Sequence, residues 1–170
     1  MLMGPAGAGK TTIGLLLAQQ LCWEFVDGDS LHPAANLAKM TAGIPLNDED
    51  RLPWLTAIRE LMMARNRERR DLLIACSALK KEYRDFMQTA SLCRLVYLRV
   101  SPAILLQRLE QRGGHYMKPS MLASQLADLE EPYGEGLVVA AEQPPQQIAS
   151  QIIHQLQLQS KCGGPAAGAD

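Results

Sequence analysis

Gly4-Pro5-Ala6-Gly7-Ala8-Gly9-Lys10-Thr11 is a complete G-x-x-x-x-G-K-[ST] phosphate loop that opens almost at the start of the chain. A triphosphate must be wrapped by backbone N–H groups at close range. Gly4, Gly7 and Gly9 allow that approach, because a Cβ would obstruct the turn or the phosphate. Pro5, Ala6 and Ala8 complete the wrap. Lys10 places a point charge on the β- and γ-phosphates, and the Thr11 hydroxyl is positioned to ligate Mg²⁺, with Thr12 beside it. Ile13, Leu16, Leu17 and Leu21 then recur at helical spacing. No Asn-Lys-x-Asp guanine-reading motif is present, so the expected nucleotide is ATP. Such a loop hangs from a buried strand of ~5 residues, yet only Met1, Leu2 and Met3 precede Gly4. The first strand is therefore expected to continue upstream, and the chain as given to be less stable than its relatives.

With 170 residues, 47% hydrophobic and 21% charged, the chain is long enough for one domain with a full core, expected over residues 1–158. A net charge of −1 leaves no electrostatic footprint for nucleic acid or a membrane surface. No apolar run approaches the ~20 residues that span a bilayer, and no export signal opens the chain. The expected partner is a small molecule and the expected compartment the cytoplasm. Cys22, Cys76, Cys93 and Cys162 lack C-x-x-C spacing and are expected to be reduced thiols, Cys76 as a small buried hydrophobe. The Gly/Ala-rich tail, 159–170, is expected to be disordered.

Strands are expected at Glu24–Val26, Leu72–Cys76, Leu95–Val100 and Leu137–Ala140. Helices are expected from Pro33 to Met40, from Pro53 into the basic run Arg65–Arg70, near Lys80–Thr89, and over Pro102–Gln111, Pro119–Leu129 and Pro145–Leu158. The basic run reads as a solvated helix end. Strands alternating with helices after a phosphate loop specify a doubly wound parallel α/β domain of about five strands, with ligands at their carboxyl ends. Asp27, Asp29, Ser77 and the Lys80 region all follow strands, so they converge on the loop. Asp27 and Asp29, two apart in extended chain, point the same way. One can hold Mg²⁺ through water and the other can accept a hydrogen bond from an acceptor hydroxyl. The bland alternative is a turn pair around Gly28.

His32-Pro33, Asn36, Lys39-Met40, the run from Gly43 to Asp48 with Asp50-Arg51, Pro53-Trp54-Leu55, the run from Cys76 to Lys81, and Tyr83-Arg84-Asp85 resemble the signature blocks of the gluconate kinase family. Gly114-His115-Tyr116-Met117, Ser124-Gln125, Leu129-Glu130 and Pro132 extend the resemblance over nearly the whole chain except the tail. It implies ATP-dependent phosphorylation of D-gluconate at its terminal hydroxyl, giving 6-phosphogluconate. It also implies a fold similar to shikimate and adenylate kinases, and makes a homodimer plausible. A small polyol with one carboxylate needs cationic donors and hydroxyl acceptors. Arg51, Lys80, Arg84 and His32 can supply the former, and Asp29, Asn47 and Asp48 the latter. Ser77 and His115 complete the acceptor site implied.

Each assignment has a rival. Arg84 beside Asp85 also reads as a surface ion pair, Lys81 as a solvent residue, His32 as part of a helix start, and Trp54 as a core anchor more than a sugar platform. Arg108 and Arg112 flank a mobile lid over about residues 108–130, where Gly113-Gly114 gives freedom to close. Either arginine would meet the charge that gathers on the transferring phosphoryl group, and Lys10, Asp29 and Arg112 are the expected catalytic residues. The last strand departs from the resembling family, with Ala140 and Glu142 where aspartates are usual, which bears on the adenine side. The alternatives are a sister kinase acting on shikimate or a nucleoside monophosphate, and a weakened nucleotide-binding module.

Overall fold

The computed structural model describes residues 1–88, 92–111 and 119–162. Alternation along the strands decides its layering. Leu2, Leu73, Val96 and Leu98 point into one apolar cluster, while Met3, Ile74, Cys76 and Tyr97 point into another. A sheet buried on both faces needs helices on both faces. The strands are β1 (Leu2–Met3), β2 (Glu24–Asp27), β3 (Leu72–Cys76), β4 (Val96–Arg99) and β5 (Leu137–Ala140), all parallel in the order β2-β3-β1-β4-β5. The expected doubly wound five-stranded sheet is therefore present. Its central strand is its shortest: Leu2 and Met3 pair with Ala75 and Cys76 on one side and with Val96 and Tyr97 on the other.

On the first face lie α1 (Lys10–Leu21), α5 (Pro102–Gln111) and α7 (Pro145–Leu156), which contribute Ile13, Leu17, Leu105, Leu109, Ile148 and Ile152 to the core. On the second lie α3 (Asp48–Arg67) and α4 (Lys81–Gln88), with Trp54, Leu55, Ile58, Tyr83 and Met87. The remaining helices are α2 (Ala34–Thr41) and α6 (Pro119–Asp128).

Four expectations are corrected. Helix α3 starts at Asp48, five residues before Pro53, because Asn47 and Asp50 form a reciprocal capping box at 2.8 and 3.1 Å. Pro53 is carried inside the helix at the loss of one backbone donor. The basic run is not wholly solvated: Arg65 grips both oxygens of Glu24 at 2.7 and 2.9 Å and Arg70 adds a third contact, which holds that carboxyl below its usual range. The tail does not leave the domain at residue 159. Ser160 donates to Gln20 O, the Lys161 amide donates to Leu21 O, and Lys161 pairs with Asp71 at 2.5 Å. Finally, Cys22 and Cys162 form a disulfide, so two of the four cysteines are not reduced thiols. Cys76 is the buried hydrophobe expected, its thiol pushed up to about 12 by burial. Residues 163–170 lie outside the described residues.

Arg84, only 1% exposed, is buried away from the cleft and does not pair with Asp85. Its guanidinium clamps Glu135 through two bonds of 2.7 and 2.9 Å and donates to the carbonyls of Ala78 and Leu79. It ties the turn after β3 to the turn before β5, while Asp85 pairs with Lys81 on the surface. Removing one partner of a buried charge pair leaves the other uncompensated. Arg84→Met is expected to lower unfolding free energy by about 3 kcal/mol or more, read as a fall in the urea midpoint at unchanged m-value.

Candidate active site

The loop leaves the carboxyl end of β1 and turns directly into α1. Gly7 and Gly9 hold φ of +84° and +95°, a left-handed backbone that a Cβ would strain, and this sharp turn is what lets the loop curl at the helix N-terminus. The Gly4 amide donates to the carbonyl of Ser77 at 3.3 Å, which fixes the loop to the end of β3. The Lys10 ammonium donates to the carbonyls of Gly4 and Pro5 at 2.8 and 3.0 Å. Thr11 Oγ1 donates to Asp27 Oδ2 at 2.7 Å.

Asp27 and Asp29 both line the cleft beside Lys10 and Thr11, but not as two residues of extended chain. The chain turns after Asp27 into a 3-10 turn, Gly28–Leu31, and Asp27 caps it by accepting the Asp29 amide on Oδ1 at 3.1 Å. The turn reading is borne out, and both carboxylates still line the cleft. The hydroxyl and carboxylate at 2.7 Å form a hard-oxygen pair suited to Mg²⁺, which keeps several water and phosphate ligands of its own. Among the described residues no cluster of three or more His, Cys, Asp or Glu is built to hold a metal alone.

Beyond the loop, the cleft is walled by Asp29, His32, Arg51, Trp54, Ser77 and Tyr83 among others. Trp54 is 2% exposed and donates Nε1–H to Gly28 O at 2.7 Å, so it is the core anchor of the Asp29 turn. His32 stacks on it at 4.3 Å between ring centroids, nearly parallel. Burial lowers the His32 pKa below its ordinary 6.5, so the ring is neutral near pH 7 and is not a cationic donor. Asn36 Nδ2 donates to the Asp50 carbonyl at 2.7 Å, which fixes that atom as nitrogen. The same nitrogen lies 3.3 Å from His32 Nδ1, which must then accept, leaving the ring proton on Nε2.

Arg51 sits in the first turns of α3, its side chain 18% exposed. It donates to the Tyr83 hydroxyl at 2.8 Å and to Asp128 at 3.2 Å, with Asp48 at 3.7 Å. Tyr83 in turn donates to Asp48, and Lys80 donates to both Asp48 oxygens at 2.7 and 3.0 Å. That carboxylate raises the Lys80 pKa, and Lys80 and Tyr83 together lower that of Asp48. Lys80 therefore braces the wall of the cleft and does not line it.

On the other flank, Arg108 donates to the carbonyls of Gly7 at 3.2 Å and Ala141 at 2.9 Å, joining α5 to the loop and to the end of β5. Thr12, Gln111 and Gln143 share that hollow. Glu142 accepts the Ser101 amide at the start of α5, at 2.8 Å. Arg112, His115 and the Gly113-Gly114 pair lie outside the described residues. Sequence assigned no role to Tyr83 and Gln125, which line the cleft, or to Asp128, which bonds Arg51 behind it. Gln125 and Asp128 sit three apart on α6, a spacing that places both on one helix face and was the available signal.

The profile of the shikimate kinase family matches residues 6–157. The chain is 40% identical to the thermoresistant gluconokinase of Escherichia coli (strain K12) over 90% of each chain. It is 39% identical to the gluconokinase of Gluconobacter oxydans (strain 621H) over 92% of this chain and 90% of the relative. Among solved structures, a gluconokinase from Sinorhizobium meliloti 1021 superposes with a TM-score of 0.79 at 36% identity, covering 92% of this chain and 93% of that one. An unliganded sugar kinase from Janibacter sp. HTCC2649 superposes with a TM-score of 0.86 at 39% identity over 92% of each chain. With a phosphate loop facing a polar acceptor cleft, and with these relatives matching nearly end to end, the chain belongs to the gluconokinase family of phosphate-loop kinases.

Proposed function

We propose that this chain uses ATP and Mg²⁺ in the cytoplasm to phosphorylate D-gluconate at its terminal hydroxyl, giving 6-phospho-D-gluconate. The observation that carries the reading is that Asp29 and Arg51 share one cleft with Lys10 and Thr11 of the phosphate loop. Gluconokinase relatives from bacteria, yeasts and vertebrates support the choice of acceptor. Lys10 and the loop amides hold the nucleotide phosphates, and Arg108 keeps the loop in place through Gly7. Thr11 and Asp27 are the oxygens that would hold Mg²⁺, which when bound neutralises phosphate charge.

Asp29 accepts the proton of the acceptor hydroxyl, and Arg51 takes the sugar-acid carboxylate. Neutral His32 and Ser77 bond hydroxyls along the polyol. Such a reaction asks the protein for positioning and charge stabilisation above all. A shikimate or nucleoside monophosphate acceptor is the competing reading, but the relatives that match at 40% identity are gluconokinases.

ADP release measured with gluconate, shikimate, AMP and no acceptor tests the reading directly. Turnover is expected with gluconate alone, and preference for another acceptor overturns it. Asp29→Asn is expected to lower kcat by about 10²- to 10⁴-fold with little change in KM for ATP. Arg51→Ala is expected to raise KM for gluconate by ~10-fold or more, the worth of one charged hydrogen bond, with KM for ATP unmoved. An equal rise in both KM values would make Arg51 a structural residue.

The neutral state of His32 adds a pH dependence. Its pKa is lower in the folded than in the unfolded chain, so its contribution to stability is full above 6.5 and is lost as pH falls through the folded value. The melting temperature should decline as pH drops from 6.5 toward about 5, before most carboxylates protonate, and His32→Gln should flatten that slope.

A further inference from the structure

Helix α6 makes two contacts with the cleft that neither the loop nor the acceptor wall accounts for. The Ala6 amide, inside the phosphate loop, donates to Gln125 Oε1 at 2.7 Å across 119 residues of sequence. One helical turn further on, Asp128 accepts from Arg51 at 3.2 Å across 77 residues. Both side chains project from one face of α6, and Gln125 also lines the cleft together with Lys10 and Arg51. A single element is thus bonded at one end to the phosphate-loop backbone and at the other to the one arginine, among the described residues, that lines the cavity.

We infer that α6 couples the two halves of the site, with Gln125 sensing the phosphate loop and Asp128 positioning Arg51 for the acceptor carboxylate. The inference rests on the reading of this cleft as a kinase site with nucleotide on the loop side and a sugar acid on the Arg51 side. A nucleotide that fixes the loop backbone fixes the Ala6 amide, and the Gln125 carbonyl is held with it. Helix α6 is then pinned, and Asp128 holds the long Arg51 side chain against Tyr83 in the geometry that receives a carboxylate. The coupling is reciprocal: an acceptor that orders Arg51 and α6 favours the loop conformation that binds phosphate. Gln125 and Asp128 are positioning residues in this scheme, acting through Ala6 and Arg51.

The test uses binding and hydrogen exchange, with a non-hydrolysable ATP analogue and Mg²⁺. In the wild type, the analogue alone should slow amide exchange in α6, and it should tighten gluconate binding, measured by calorimetry, by about 5-fold or more. Gln125→Ala should lose both effects while each ligand alone binds within about threefold of the wild type. Asp128→Ala should keep the nucleotide-induced protection of α6, since the Gln125 bond is intact, but lose the coupling to gluconate. That split separates positioning from a general loosening of the helix, which would abolish protection in both variants. Unchanged α6 exchange in the wild type, or coupling that survives Gln125→Ala, overturns the inference. Failure of the wild type to bind gluconate at all would instead overturn the proposed substrate, and the exchange measurement, which needs only nucleotide, would still decide the role of Gln125.

Discussion

Both oxygens of one carboxylate hold this site together. Asp27 ends β2, takes the Thr11 hydroxyl on Oδ2 and takes the Asp29 amide on Oδ1. The first bond locks the start of α1 to the neighbouring strand, and the second bends the chain into the turn that carries Asp29 and leads to His32. Trp54 closes the arrangement from below by donating to Gly28 O. The nucleotide side and the acceptor side are therefore not separate modules laid against each other. They share a strand end, and any shift of Asp27 moves both. That is why the extended-pair reading of Asp27 and Asp29 brought both residues to the cleft through the wrong geometry.

What sequence could show follows from the range over which each signal acts. The strands Leu72–Cys76 and Leu137–Ala140 are continuous apolar runs, and their limits were legible to the residue. The start of α3 was not, because Pro53 gives a strong helix-opening signal that the weaker pattern Asn47-x-x-Asp50 overrides once its two bonds form. Arg84 was misread for a different reason. A charged residue beside an aspartate reads as surface, and its actual partner, Glu135, lies 51 residues away on another turn. The Cys22–Cys162 pair is separated by 140 residues and carries no local spacing at all. The candidate site shows the same division. Lys10 and Thr11 belong to a local motif and Asp27, Asp29 and Ser77 follow strands, so sequence brought them to the cleft, whereas Gln125 reaches it, and Asp128 reaches Arg51, only through the packing of α6.

Arg51 illustrates the electrostatics such a cleft must solve. A lone guanidinium at 18% exposure would be costly to desolvate, and one neutralised completely would have no attraction left for a substrate anion. Here the charge is shared among Asp128, the Tyr83 hydroxyl and the more distant Asp48, whose own charge is taken up chiefly by Lys80. The arginine is thereby held in place by contacts that leave it only partly compensated. Lys80 bears on Arg51 through this chain of bonds, not by reaching the cavity.

The flank formed by α5 and the end of β5 answers the departure in the last strand by the same logic of backbone over side chain. Arg108 reaches the carbonyls of Gly7 and Ala141, atoms that every residue type supplies, so a changed side chain at Ala140 does not remove the link between α5, the loop and β5. Glu142 has acquired a task of its own, since its carboxylate accepts the Ser101 amide at the mouth of α5, where exposed helix N–H groups favour a negative charge. That contact holds its pKa below the usual carboxylate range. A position read from sequence as a loss thus ties β5 to the helix that carries Arg108, and the nucleotide side keeps its shape without the aspartates.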